Sequence, residues 1–311
     1  MSRWPEPPQA ARGPSLRSGS GVVGAMRMPS LIVLFAVLLM PVLLLPGCGP
    51  RPDGLSPEAR AYLDRRMLEP PPSGMTLDAA YARQRALVAE LAPHLGGVAG
   101  YKAAYVNPAI QKRFNIPSPV RGALYRDGLL ADGAVVDAAF GAVPLVESDT
   151  LVRVKSARIN QARTPAEVLA EIDGFIPFIE LPDNLIPMDA AADGAARVAH
   201  NCGSRMGVMG ALIPIPADAS GEAMLAAMTV ANEIDGVRGA SAPASVLMGH
   251  PLRVVLWLVQ DLAARGESLR AGDLVSLGGM HPPSVPRPGM VFGAIYEGLP
   301  GGPHRVHVRF R

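Results

Sequence analysis

Three carboxylates stand where charge is costly. Glu147 and Asp149 lie two residues apart in VPLVESDTLVRV (143–154), among Val143, Leu145, Val146, Leu151 and Val152, and Glu180 sits near the end of a second apolar run, FIPFIEL (175–181). Residues two apart in a strand share a face, so Glu147 and Asp149 project together. A bare carboxylate among apolar side chains is strongly disfavoured unless something pairs with it. Three that converge from two buried strands suit a hard divalent cation with oxygen ligands, such as Mg²⁺ or Mn²⁺. Otherwise each faces solvent or pairs with an arginine such as Arg153 or Arg158. Lys102, in GYKAAYV, lies between apolar residues. Beside a cation in a desolvated pocket a lysine can move protons; the alternative is an outward-facing lysine on an edge strand. The histidines do not cluster, and no Ser/His/Asp arrangement, phosphate loop or dinucleotide fingerprint is present.

The elements that must position these groups are legible in outline. Ser56 caps a first helix, with Pro57 at its first position and Glu58 in its positive end. Thr76 caps a second, which runs to about His94 and stops at Gly96-Gly97. GYKAAYV, 143–154 and 175–181 read as strands. Thr164-Pro165-Ala166-Glu167 is a capping box that predicts a helix over about 165–173. Asp235-Gly236 suits a tight hairpin turn. A helix begins at Pro251, behind His250, with Leu252, Val255, Val259 and Leu262 on one face and Gly266 as its stop. DLVSLGG, MVFGAIY and HRVHVRF complete a set of scattered strands with helices at the ends, an α+β pattern with a mixed sheet or barrel-like β core.

The N-terminus reads as an address. Residues 1–25 are rich in Pro, Gly, Ser and Arg and have no apolar periodicity. From Met26, Arg27 gives a positive start, and the uncharged run from Leu31 to Pro46 is shorter than the ~20 apolar residues of a membrane span. Leu45-Pro46-Gly47-Cys48 resembles a bacterial lipobox, with Cys48 as the lipidated residue; an uncleaved anchor or an ordinary secretory signal are the alternatives. The chain therefore divides into 1–25, a signal over 26–48, a linker over 49–55 and a catalytic domain over 56–311. This implies export and a membrane-anchored lipoprotein on the periplasmic side. With Cys48 in an anchor, Cys202 is a lone thiol. The 29 basic residues nearly balance 27 acidic ones without a basic stripe, which argues against nucleic acid as a partner.

Several segments, in order, resemble the 2-keto-4-pentenoate hydratase and 4-oxalocrotonate decarboxylase family of the fumarylacetoacetate hydrolase superfamily. The likeness runs from about Ala82 to Phe310 and is strongest over GHPLRVVLWLVQDLAARGESLRAGDLVSLGG (249–279). GYK (100–102) is similar to the family's lysine segment, ESD (147–149) to its Glu-x-Glu pair, and PFIEL (177–181) to the strand with the third carboxylate. NCGSRMGVMG (201–210) resembles its substrate loop. The resemblance implies the fold of the superfamily's C-terminal domain, a mixed β-roll or barrel behind an N-terminal helical segment. It implies a divalent metal on Glu147, Asp149 and Glu180, proton transfer by Lys102, and a small 2-oxo or 2-hydroxy carboxylate held by Ser204 and Asn201, in a possible homo-oligomer. The implied reaction adds water to a 2-hydroxy-2,4-dienoate to give a 4-hydroxy-2-oxo acid. Decarboxylation or C–C hydrolysis of a 2-oxo acid is an alternative, and a catalytically impaired, lipid-anchored carboxylate-binding protein another. The chain departs from the pattern at Val120, where an aspartate is common, at Asp149 for a glutamate, at His200 for an aspartate, and at GGMHPPS (278–284).

Overall fold

Helix caps and turns form where residue chemistry places them. In a computed structural model, which describes residues 54–71, 74–187 and 194–311, Ser56 caps α1 (Pro57–Leu63) and Thr76 caps α2 (Leu77–Leu91), each accepting a backbone N–H three residues on. A 3₁₀ turn over Ala92–His94 carries α2 to its expected end. The chain continues through β1 (Val98–Ala104), α3 (Pro108–Arg113), β2 (Val120–Tyr125), β3 (Leu129–Ala131), β4 (Val135–Val136) and β5 (Glu147–Val154). Next come α4 (Pro165–Ala170), β6 (Ile172–Leu181), α5 (Gly194–Ala199), β7 (Met206–Met209) and α6 (Ala219–Ala227). The hairpin β8 (Thr229–Ile234) and β9 (Val237–Pro243), helix α7 (Pro251–Ala264), β10 (Leu274–Ser276), β11 (Val291–Glu297) and β12 (His304–Phe310) complete the domain. The 26–48 signal and Cys48 lie outside the described residues.

Departures from expectation have local causes. The strand expected from Val143 begins only at Glu147, because Pro144 has no N–H for a ladder and makes only an isolated bridge to Asp183. The capping box at Thr164 is complete, but α4 stops at Ala170 because Ile172 already belongs to the buried strand β6. The hairpin is as expected: Asp235 and Gly236 both take the left-handed conformation of a type I′ turn (φ 51° and 82°). Helix α7 is capped by the His250 ring, which accepts the Leu252 N–H at 3.1 Å. Leu252, Val255, Leu258, Val259 and Leu262 are all buried on its inner face, each contributing about 1.5–3 kcal/mol.

Two mixed sheets carry the site. The larger has the order β2-β1-β10-β5-β6-β7-β3, with β1/β10 and β3/β7 parallel. The smaller is β4-β12-β11-β8-β9. Tyr296 of β11 joins the two. Its buried hydroxyl accepts the Phe178 N–H (3.1 Å) and lies against the Phe178 carbonyl (2.8 Å) and the Asp149 carbonyl. The outer edge of β2 is met by side chains. Tyr81 Oη accepts the Arg121 N–H at 3.1 Å, and Gln84 Nε2 donates to the Arg121 carbonyl at 2.8 Å. The Asn201 amide exchanges two bonds with the Ala123 backbone, at 2.7 and 2.9 Å.

Candidate active site

Antiparallel pairing puts Glu147 directly opposite Glu180, and Asp149 opposite Phe178. Directly opposed side chains on one face lie close together, so two carboxylates meet at the start of β5 and the end of β6. Lys102 of β1 reaches the same point. It is buried, it forms a short ion pair with Glu180, and it donates to the Cys202 carbonyl at 3.3 Å. The reading of Lys102 as an outward-facing edge lysine is thus overturned, since β1 is flanked by β2 and β10. Nor do the arginines take the carboxylates: Arg153 pairs with Asp173 and Arg158 with Glu171.

Lys102, Glu147 and Glu180 line a cavity of about 460 Å³, whose other walls include Tyr105, Val106, Phe114, Leu145 and Met280. Arg113, Arg197, Cys202 and His281 add the remaining ionisable groups. Asp149 sits behind this wall, with no exposed surface. It accepts from Ser276 Oγ (2.7 Å), Gly278 N (3.0 Å) and, at short range, its neighbour Thr150 N. Asn201 and Ser204 are buried but are not among the cavity's lining; Asn201 serves the β2 edge, and the Ser204 carbonyl accepts from Tyr62 Oη. Cys202 between them takes the wall position. Val120 falls in an apolar cluster with Phe114, Ile116 and Cys202, so no acid or base replaces the aspartate expected there.

The electrostatics reflect a surplus of negative charge. Burial and repulsion from Glu180 push Glu147 up to about 8, against the opposing pull of Lys102. Burial and Glu180 likewise push Asp149 to about 7, although its bonds from Ser276 and Thr150 resist. Burial alone would lower Lys102, but Glu180 and Glu147 overcome it and raise its pKa, keeping the ammonium charged. Burial pushes the Cys202 thiol to about 12.

Among the described residues, no three His, Cys, Asp or Glu side chains stand in a metal-holding arrangement. The reason is visible: Lys102 occupies Glu180, and Asp149 is turned to Ser276 and Gly278. The donor chemistry nevertheless fits a hard cation. Two buried carboxylates, Asp149 and Glu180, and the half-buried Glu147 face one ammonium, and Gly279 leaves room beside them, since a Cβ there would lie 2.2 Å from Glu147 Oε2. Residues that sequence reasoning missed on this wall, His281 above all, come from a segment with no local signal beyond its unusual GGMHPPS.

The fold is mixed α+β, with a lysine–carboxylate cavity at the junction of three central strands. No family model matches the chain. Its sequence is 27% identical to the 2-keto-4-pentenoate hydratase of Burkholderia vietnamiensis strain G4 over 202 residues, covering 65% of this chain and 75% of the relative. It is 26% identical to the 4-oxalocrotonate decarboxylase of Pseudomonas putida over 208 residues, covering 65% and 75%. The fold is that of 4-oxalocrotonate decarboxylase from Pseudomonas putida G7, solved with calcium and acetate (TM-score 0.71, 24% identity, 82% of this chain and 94% of that one). The fold expected from sequence is therefore the fold observed.

Proposed function

We propose that this chain is a metal-dependent hydro-lyase that adds water to a short 2-hydroxy-2,4-dienoate, or its 2-oxo-4-enoate form, to give a 4-hydroxy-2-oxo acid. The observation that carries the reading is the buried Lys102–Glu180 pair beside Glu147 on the wall of a largely apolar cavity. The sequence likeness to 2-keto-4-pentenoate hydratases supports it. Mg²⁺ or Mn²⁺ would be held by Glu147 and Glu180, with Asp149 behind them as third carboxylate; magnesium accompanies adipate in a related decarboxylase structure. When bound, such an ion supplies Lewis-acid stabilisation of developing enolate charge. Lys102, beside Glu180 on the cavity wall, would donate and accept protons along the dienol. Tyr105, Val106, Phe114 and Met280 keep bulk water from the conjugated carbons. Cys202, from the turn over Asn201–Ser204 that is fixed on the β2 edge, forms part of the cavity wall.

Decarboxylation is the second reading, favoured by the two guanidinium groups on the cavity wall, Arg113 and Arg197, which a substrate with a second carboxylate would meet. One ultraviolet assay separates the two. Metal-dependent loss of dienol absorbance with a 4-hydroxy-2-oxo product, abolished by Lys102→Ala, is expected. Release of CO₂ from a 2-oxo dicarboxylate, without hydration, would replace the hydratase reading by the decarboxylase. Binding of a 2-oxo acid without turnover of either substrate would leave a carboxylate-binding protein.

The segment 26–48 supports a further part of the proposal, that Cys48 is lipidated and anchors an exported chain to the membrane on the periplasmic side. Cys48→Ser is expected to release the protein from the membrane fraction; full retention would rule out lipidation as the anchor.

A further inference from the structure

Hydration needs a base for the incoming water, and the cavity's described lining residues include one imidazole, that of His281. We infer that His281 is that base, taking the proton from water as its oxygen bonds to C4 of the substrate; this rests on the hydratase reading above. Three observations place it. Residues 280–284 are laid along the start of β5, with Met280 N bonded to Ser148 O (3.1 Å) and Ser284 exchanging two 2.9 Å bonds with Val146. The His281 backbone is thereby fixed next to the carboxylates: the position of a Cβ on Gly279 lies 2.2 Å from Glu147 Oε2 and 3.7 Å from the His281 carbonyl. His281 is half-buried and is one of the residues that line the cavity, and its ring Nε2 stands 2.9 Å from the Val230 carbonyl of β8.

A carbonyl only accepts, so Nε2 carries the proton in the neutral ring. Nδ1 is left as a lone-pair acceptor with no protein partner among the described residues. The other cavity groups are unsuited. Arg113 and Arg197 stay charged, Lys102 is an ammonium, the Cys202 thiol is held protonated, and Glu147 and Glu180 answer to cations. Val120 has removed the aspartate that the sequence resemblance led us to expect.

The step balances. Proton delivery to C5 of 2-hydroxypenta-2,4-dienoate, with loss of the enol O–H proton, gives the conjugated 2-oxopent-3-enoate. The O–H bond of water breaks, its proton goes to Nδ1, and its oxygen bonds to C4. The C3=C4 electron pair shifts towards the 2-oxo group, and Lys102 then protonates C3. The proton on His281 restores Lys102 through cavity water, so none is gained or lost.

The test uses the full-length protein with Mg²⁺ and 2-hydroxypenta-2,4-dienoate in D₂O, following deuterium entry at C5 and formation of 4-hydroxy-2-oxopentanoate separately. Removing a general base slows its step by about 10²–10⁴-fold. His281→Gln, which can keep a donor towards Val230, is expected to slow water addition at least ~100-fold while leaving exchange at C5 near wild type. His281→Asn is run beside it. Water addition at wild-type rate in either variant overturns the inference. So does a matched loss of both steps in both variants, which marks the ring as a structural prop. A wild-type chain inert towards the dienoate overturns the hydratase reading, and this inference falls with it.

Discussion

Glu147→Gln is the substitution whose outcome follows most directly from the geometry. In the folded chain the Glu147 carboxyl is pushed up to about 8 by burial and by Glu180, from an ordinary 4.5. Between those two pH values the folded state holds a proton that the unfolded state has released. Stability from this group is therefore complete below about pH 4.5 and is lost as pH rises through 8. At about 1.4 kcal/mol per tenfold, the gap corresponds to about 4–5 kcal/mol once the pH is above both values. A glutamine keeps the shape and has nothing to ionise. Chemical unfolding in urea with a chelator, at pH 5.5 and 8.5, reads the effect as a midpoint shift at constant slope. The variant is expected to exceed wild type by about 1.4 kcal/mol at pH 5.5, one unit above the ordinary value, and by about 4–5 kcal/mol at pH 8.5. Added Mg²⁺ should restore much of the wild-type loss, because a divalent cation removes the surplus charge, and should help the variant less. A wild-type stability that is flat or rises across this window, relative to the variant, would refute the charge surplus and with it the reason for placing a cation here.

Gly279→Ala puts a methyl 2.2 Å from Glu147 Oε2; we expect the Mg²⁺ affinity measured by calorimetry to fall at least ~10-fold (about 1.4 kcal/mol) while the chain still folds. Tyr296→Phe strips the hydroxyl that satisfies the Phe178 N–H between the two sheets. A buried donor left without a partner costs about 1–3 kcal/mol, which a urea midpoint would register; an unchanged midpoint would show that the sheets are not joined there.

Much of this site was legible because its signals are local. Glu147, Asp149 and Glu180 stand out as charges inside apolar runs, and Ser56, Thr76, the Thr164 capping box and the Asp235-Gly236 turn announce element ends through chemistry confined to four or five residues. Lys102 was ambiguous for the opposite reason. Whether a lysine on a short strand faces in or out depends on what flanks the strand, and here β10, more than 170 residues later, supplies the second neighbour. The same distance hid the fate of Asp149, whose partners Ser276 and Gly278 lie 127 and 129 residues away. His281 carries no periodic signal. Its place is set by ladder bonds to Val146 and Ser148, which no window of sequence contains. Strands β2 and β7 escaped because a Gly in each, Gly122 against the Asn201 carbonyl and Gly207 against the Phe178 ring, answers to close packing rather than to alternation.

The outer rim of β2 bears on how this protein stays apart from its neighbours. An exposed strand edge offers unpaired N–H and C=O groups to any extended segment that passes, which is a common route to aggregation. Here the amide of Asn201 serves Ala123 as a passing peptide group would, and Tyr81 and Gln84 do the same for Arg121. The rim is thus answered by side chains that cannot propagate a ladder. The turn that forms part of the cavity wall also guards the sheet against its own kind.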